Sequence, residues 1–102
     1  MSKFRKKVDL NHAEIVEGLR KLDYKVYSTH KVGEDFPDIL VAHPIYPISF
    51  LVEIKSSPKA KISDGQISFS NDYYSIIGYS IEDIINKINI KIDMFVMKVL
   101  GS

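Results

Sequence analysis

The chain has 102 residues, 45% of them hydrophobic and 26% charged, with a formal net charge of +1. That is enough for one globular domain over residues 1–102, and it leaves no room for a second hydrophobic core. The absence of cysteine excludes a disulfide framework or a thiolate metal centre, and no apolar run is long enough to span a bilayer.

Residues 11–22 read as an amphipathic helix. Ile15, Val16, Leu19 and Leu22 recur at three- and four-residue spacing, opposite Glu17, Arg20 and Lys21. Asn11 is placed to cap it, with Glu14 three positions later in capping-box spacing. Tyr24 to Thr29 alternates and is rich in β-formers, which predicts a first strand. A polar loop around Gly33 follows. Residues 37–42 and 50–55 are short apolar runs joined through Pro44 and Pro47, which predicts a hairpin. A basic loop from Ser56 to Lys61 leads to a short helix from Ser63 through Gln66 and Phe69. Tyr73 to Ile77 is a candidate strand. Ser80 is a cap for a helix through Ile81, Ile84, Ile85 and Ile88, with Glu82 and Asp83 at its positive end. Residues 94–100 are expected to form a closing strand. The order α-β-β-β-α-β-α-β predicts an α/β fold, a small mixed sheet flanked by helices.

Two charged pieces interrupt the apolar runs. Pro37-Asp38 opens one strand, and Glu53-Ile54-Lys55 closes the other. Side chains alternate along a strand, so Glu53 and Lys55 share a face and Ile54 points away. A charge in such a run must be paired, hydrated or bound to a metal. If the strands are neighbours, Asp38 joins Glu53 and Lys55 in one cluster. Two carboxylates and an ammonium at a sheet are the parts of a magnesium-dependent phosphodiesterase.

Taken with the elements around them, these residues resemble the PD-(D/E)XK nuclease superfamily, and within it the small stand-alone VRR-NUC (virus-type replication-repair nuclease) domains of phages. The resemblance rests on Glu14 in an opening helix, on residues 32–41, on Val52-Glu53-Ile54-Lys55, on Ile62-Ser63-Asp64-Gly65-Gln66, and on Tyr79-Ser80-Ile81-Glu82-Asp83. Where family members often carry a second glycine, this chain has Glu34 and Asp35. The resemblance implies a restriction-endonuclease-like core and Mg²⁺-dependent hydrolysis of DNA phosphodiesters, with Mn²⁺ able to substitute. Asp38, Glu53 and the Ile54 carbonyl become metal ligands, with Glu14 holding a water or a second ion. Lys55 orients the attacking water or stabilises the phosphorane-like oxygens, and Gln66 helps fix the Lys55 amine or a phosphate. His30, Lys59 and Lys61 become DNA contacts on flanking loops. The implied substrate is branched DNA such as a four-way (Holliday) junction, bound by a homodimer with no membrane association. The implied location is the cytoplasm, that of the host if the chain is phage-encoded.

Plainer readings stand beside these. Glu14 fits a capping box without any chemistry. Asp38 fits a turn at a strand entrance, and Glu53 with Lys55 fits a solvated ion pair worth at most ~1 kcal/mol. His12, His30 and His43 are too scattered for a zinc site. Tyr73, Tyr74 and Tyr79 read as core and edge packing rather than base-stacking platforms. The alternative function is a non-catalytic DNA-binding or interaction module that retains the nuclease fold.

Overall fold

The computed structural model describes residues 10–29, 31, 32, 36–56 and 74–101. Their elements are α1 (Leu10–Lys21), β1 (Lys25–Ser28), β2 (Ile39–Ala42), β3 (Ser49–Ile54), β4 (Ser75–Gly78) and α2 (Ile81–Gly101). The strands form one mixed sheet in the order β1-β2-β3-β4, antiparallel except for the parallel β3–β4 pair. The predicted short helix after Ser63 lies outside the described residues.

α1 turns Ile15 and Leu19 inward and leaves Glu14, Glu17, Arg20 and Lys21 exposed. Its C-terminus closes with Tyr24 N–H donating to Leu19 O and Asp23 N–H to Arg20 O. That is a Schellman motif, with Asp23 in the left-handed region at φ 73°. Aspartate tolerates this conformation better than most side chains, and the tight exit sends the chain straight into β1. Arg20 Nη2 donates to Val26 O at 2.7 Å, tying the last turn of α1 to that edge strand.

The sheet has two different faces. Val26, Ile39, Val41, Phe50, Val52, Ile54 and Ile76 fill one, packed with Ile15 and Leu19 of α1 and with Ile84, Ile88 and Ile92 of α2. The register Ile39↔Val52 and Val52↔Ile76 keeps these residues on a common side. Both helices therefore cover one face. The alternating residues Tyr27, Leu40, Leu51, Glu53 and Ile77 lie on the other.

The β2–β3 hairpin turns where Pro44 and Pro47 predict it. His43 N–H donates to Ile48 O at 3.0 Å. The His43 Nδ1 accepts the N–H groups of Ile45 at 3.0 Å and Tyr46 at 3.1 Å. The imidazole thus replaces backbone partners that a proline-flanked turn cannot supply.

α2 starts as its sequence requires. Ser80 Oγ accepts the Asp83 N–H at 3.0 Å, and Asp83 pairs with Lys87 one turn later at 3.1 Å. Its far end corrects the sequence reading: residues 94–100 are not a closing strand but a continuation of α2 to Gly101. No proline or glycine interrupts residues 81–100. The spacing of Ile84, Ile88 and Ile92 carries on through the half-buried Phe95 and Val96. A run of β-branched and sulfur side chains looks strand-like in isolation. Elongation of an existing helix adds one backbone bond per residue, and that continuity prevails. No helix among the described residues is long and apolar enough to cross a membrane.

Candidate functional site

The hairpin register puts the predicted residues together at one end of the sheet. Continued by one residue from Ile39↔Val52, it sets Asp38 directly across from Glu53, and paired residues share a face. Asp38, Glu53 and Lys55 therefore lie on the face that α1 and α2 leave uncovered. Glu53 is 8% exposed and its Oε1 is closed off from solvent. Lys55 Nζ stands 3.5 Å from Glu53 Oε2, with both side chains largely covered. An ion pair this sheltered from water is unlike the solvated strand-end pair of the plainer reading.

Where the β2–β3 ladder ends, Pro37 is the cause. Continued by one more residue, the register sets Pro37 opposite Ile54. The β3 residues bonded to β4 are the odd ones, as Leu51 N–H to Tyr74 O and Lys55 N–H to Gly78 O show, both at 2.8 Å. Ile54 accordingly directs its N–H and carbonyl toward β2. Pro37 has no N–H to give that carbonyl, and its own carbonyl accepts the Thr29 hydroxyl. The Ile54 N–H goes instead to Asp38 Oδ2 at 2.8 Å. Thr29 N–H bonds to Asp38 O at 3.0 Å, so β1 also braces this corner.

α1 is attached to the same place. Asn11 does not cap the helix, which already includes Leu10; its Nδ2 donates to Lys55 O at 3.2 Å. Glu14, one turn on, is exposed. Among the described residues no three His, Cys, Asp or Glu side chains stand close enough to hold one ion. Glu14 is therefore not gathered with Asp38 and Glu53. His12 and Arg20 line a groove of about 520 Å³ between α1 and β1, beside the site and not within it. Gln66, His30, Lys59 and Lys61 lie outside the described residues.

The chemistry of the donor set fits a hard divalent ion. Two carboxylates and a carbonyl that faces a proline are oxygen ligands of the kind Mg²⁺ takes together with waters. Asn11, Thr29 and Pro37 act as supports: the sequence marks Asn11 as a cap and Pro37 as a strand entrance, and does not single out Thr29. Each depends on strand register, which no local motif records. Compared with family models, with characterised proteins and with solved structures, the chain matches none.

Proposed function

We propose that this chain is a Mg²⁺-dependent DNA endonuclease of the PD-(D/E)XK, VRR-NUC-like kind, built on a restriction-endonuclease-like core and acting on branched DNA. The observation that carries this reading is the corner itself. Where the ladder meets Pro37, the Asp38 carboxylate holds the Ile54 N–H, across from a sheltered Glu53–Lys55 pair.

Asp38, Glu53 and the Ile54 carbonyl would hold a Mg²⁺ ion, which when bound would supply charge to polarise the scissile phosphate and acidify a water. The protein's own groups do the rest. Lys55 Nζ, kept in place by Glu53 Oε2, orients the attacking water and offsets the negative charge growing on the phosphate oxygens. The bonds from Asn11 to Lys55 O and from Lys55 N–H to Gly78 O hold that backbone on two sides. A pre-set ammonium needs little reorganisation during the reaction, which is where such a group has most effect.

A homodimer belongs to this reading. Ile90, Met94 and Met97 recur at four- and three-residue spacing on the outer side of α2, exposed by 58%, 53% and 71%. An apolar stripe of this kind on a helix suits a second helix. The non-catalytic binding module is the second reading. What favours it is that no third acidic or imidazole side chain joins Asp38 and Glu53 among the described residues.

Cleavage of labelled linear duplex, single strand, flap and four-way junction DNA, with Mg²⁺ or Mn²⁺, separates the two. Metal-dependent cutting that a folded Lys55→Ala variant lacks supports the nuclease, and the panel names its substrate. A folded wild type that cuts nothing with either ion overturns it in favour of the binding module.

A further inference from the structure

Tyr79 stands where β4 runs out beside the site. Lys55 N–H bonds to the carbonyl of Gly78, the residue before it. The pairs Glu53↔Ile77 and Ile54↔Gly78 place Tyr79 next to Lys55 when continued by one residue. A Cβ on Gly78 would lie 2.4 Å from Ile84 Cγ1, so that position faces α2. Continuing the alternation of β4 by one residue past its end at Gly78 gives Tyr79 the opposite side, the one that carries Glu53 and Lys55. β4 ends at Gly78 and the chain bends at Tyr79. Ile77 O accepts from Lys87 Nζ and Tyr79 N–H donates to Asp83 Oδ2, both on the free edge of β4.

This tyrosine is anchored by its backbone and unengaged by its side chain. Asp83, which holds its N–H at 3.2 Å, is itself fixed by Ser80 Oγ and Lys87 Nζ. The side chain is 38% exposed. Among the described residues neither its ring nor its hydroxyl takes a ring contact or a hydrogen bond. The other exposed tyrosines sit elsewhere: Tyr27 is level with Leu40 and Leu51, Tyr46 is in the hairpin turn, and Tyr74 is at the start of β4.

We propose that Tyr79 is a stacking platform for a base of the DNA strand whose phosphate lies against Lys55. Neighbouring strands are about 4.8 Å apart, so the Tyr79 and Lys55 backbones are one strand spacing apart. A base next to that phosphate is then within reach of the ring. The rigid backbone beneath the ring reduces the entropy lost on binding, and stacking accepts any base, as a structure-selective enzyme requires. The proposal rests on the DNA reading of the site.

The test is fluorescence anisotropy of a labelled single strand and a labelled four-way junction, with Ca²⁺ replacing Mg²⁺ to suppress cutting. Tyr79→Ala is expected to weaken binding about tenfold, while Tyr79→Phe and Tyr27→Ala bind like the wild type. Because the chain has no tryptophan, Tyr79→Trp adds its first indole, and the emission is expected to be quenched as DNA is added. Wild-type affinity in Tyr79→Ala, equal losses in Tyr79→Ala and Tyr79→Phe, or DNA binding without indole quenching would each overturn stacking. A folded wild type that binds neither DNA removes the DNA reading beneath it, an outcome distinct from a defect confined to Tyr79.

Discussion

The Asp38 carboxylate accepts the Ile54 N–H at 2.8 Å, a bond that the sheet ladder would otherwise direct to Pro37. One side chain thus caps the ladder that Pro37 ends and offers its remaining oxygen lone pairs at the proposed metal site. The two roles separate by substitution. Asp38→Asn keeps an acceptor for Ile54 N–H and should cost well under ~1 kcal/mol of stability, yet abolish cleavage. Asp38→Ala leaves a partly buried N–H without its acceptor and should cost about 1–2 kcal/mol in addition to the lost activity. Urea unfolding beside a cleavage assay checks both. Equal stability of the two variants would falsify the capping role.

Divalent ions should stabilise the folded chain by mass action. At a hundredfold excess over Kd the gain is about 2.7 kcal/mol, readable as a rise in Tm. Asp38→Asn and Glu53→Gln should each remove most of that rise, because each deletes a charged oxygen ligand. If Mg²⁺ and Mn²⁺ leave the wild-type Tm where EDTA sets it, the proposed ligand set is wrong.

His43 ties the hairpin to pH. Burial lowers its pKa from the usual 6.5. The two N–H groups donated to Nδ1 act in the same direction, since a protonated Nδ1 cannot accept them. The unfolded chain then binds the proton more readily than the folded one. Stability is complete above pH 6.5 and declines as pH falls from there through the lowered folded value. His43→Asn retains an acceptor and does not titrate, so its melting temperature should change less between pH 7.5 and 5.5. Parallel profiles for wild type and variant would count against the imidazole. Tyr24, edge-on to His43 at 5.5 Å, has its pKa raised by burial from 10.0, so its contribution is full below pH 10.0 and is lost as pH rises from there through the raised value.

The outer stripe of α2 predicts a dimer of twice the 11.7 kDa chain mass. Met94→Lys combined with Met97→Lys places two ammonium groups on the stripe and should give a folded monomer by light scattering. Residues of the core face, Ile84, Ile88 and Ile92, are untouched by this change, so Tm in dilute protein should barely move. A wild type that is monomeric at all accessible concentrations rules the contact out.

Much of the fold is legible in residue order because its signals are local. The spacing of Ile15 and Leu19, the prolines around residues 44–47, and Ser80 before Asp83 each act within a turn or two of the chain. The far half of α2 is not legible in residue order because Met94-Phe95-Val96-Met97 carries no local mark that separates strand from helix. What makes it helix is elongation from residues 81–92, which lie outside that short window. Asn11 shows the same limit: a good cap by type and spacing, it is drawn to the Lys55 carbonyl by tertiary packing.

The sequence by itself determined which charged residues must be explained, because an Asp, a Glu and a Lys in apolar strand runs are costly wherever the strands lie. It also determined that Pro37 cannot donate a ladder bond. Tertiary structure alone decided that Pro37 falls opposite Ile54, that Asp38 takes over the bond, and that Lys55 N–H meets Gly78 O. The reason is register: a shift of one residue in either strand pairing keeps every local signal intact and moves each of these side chains to the other face.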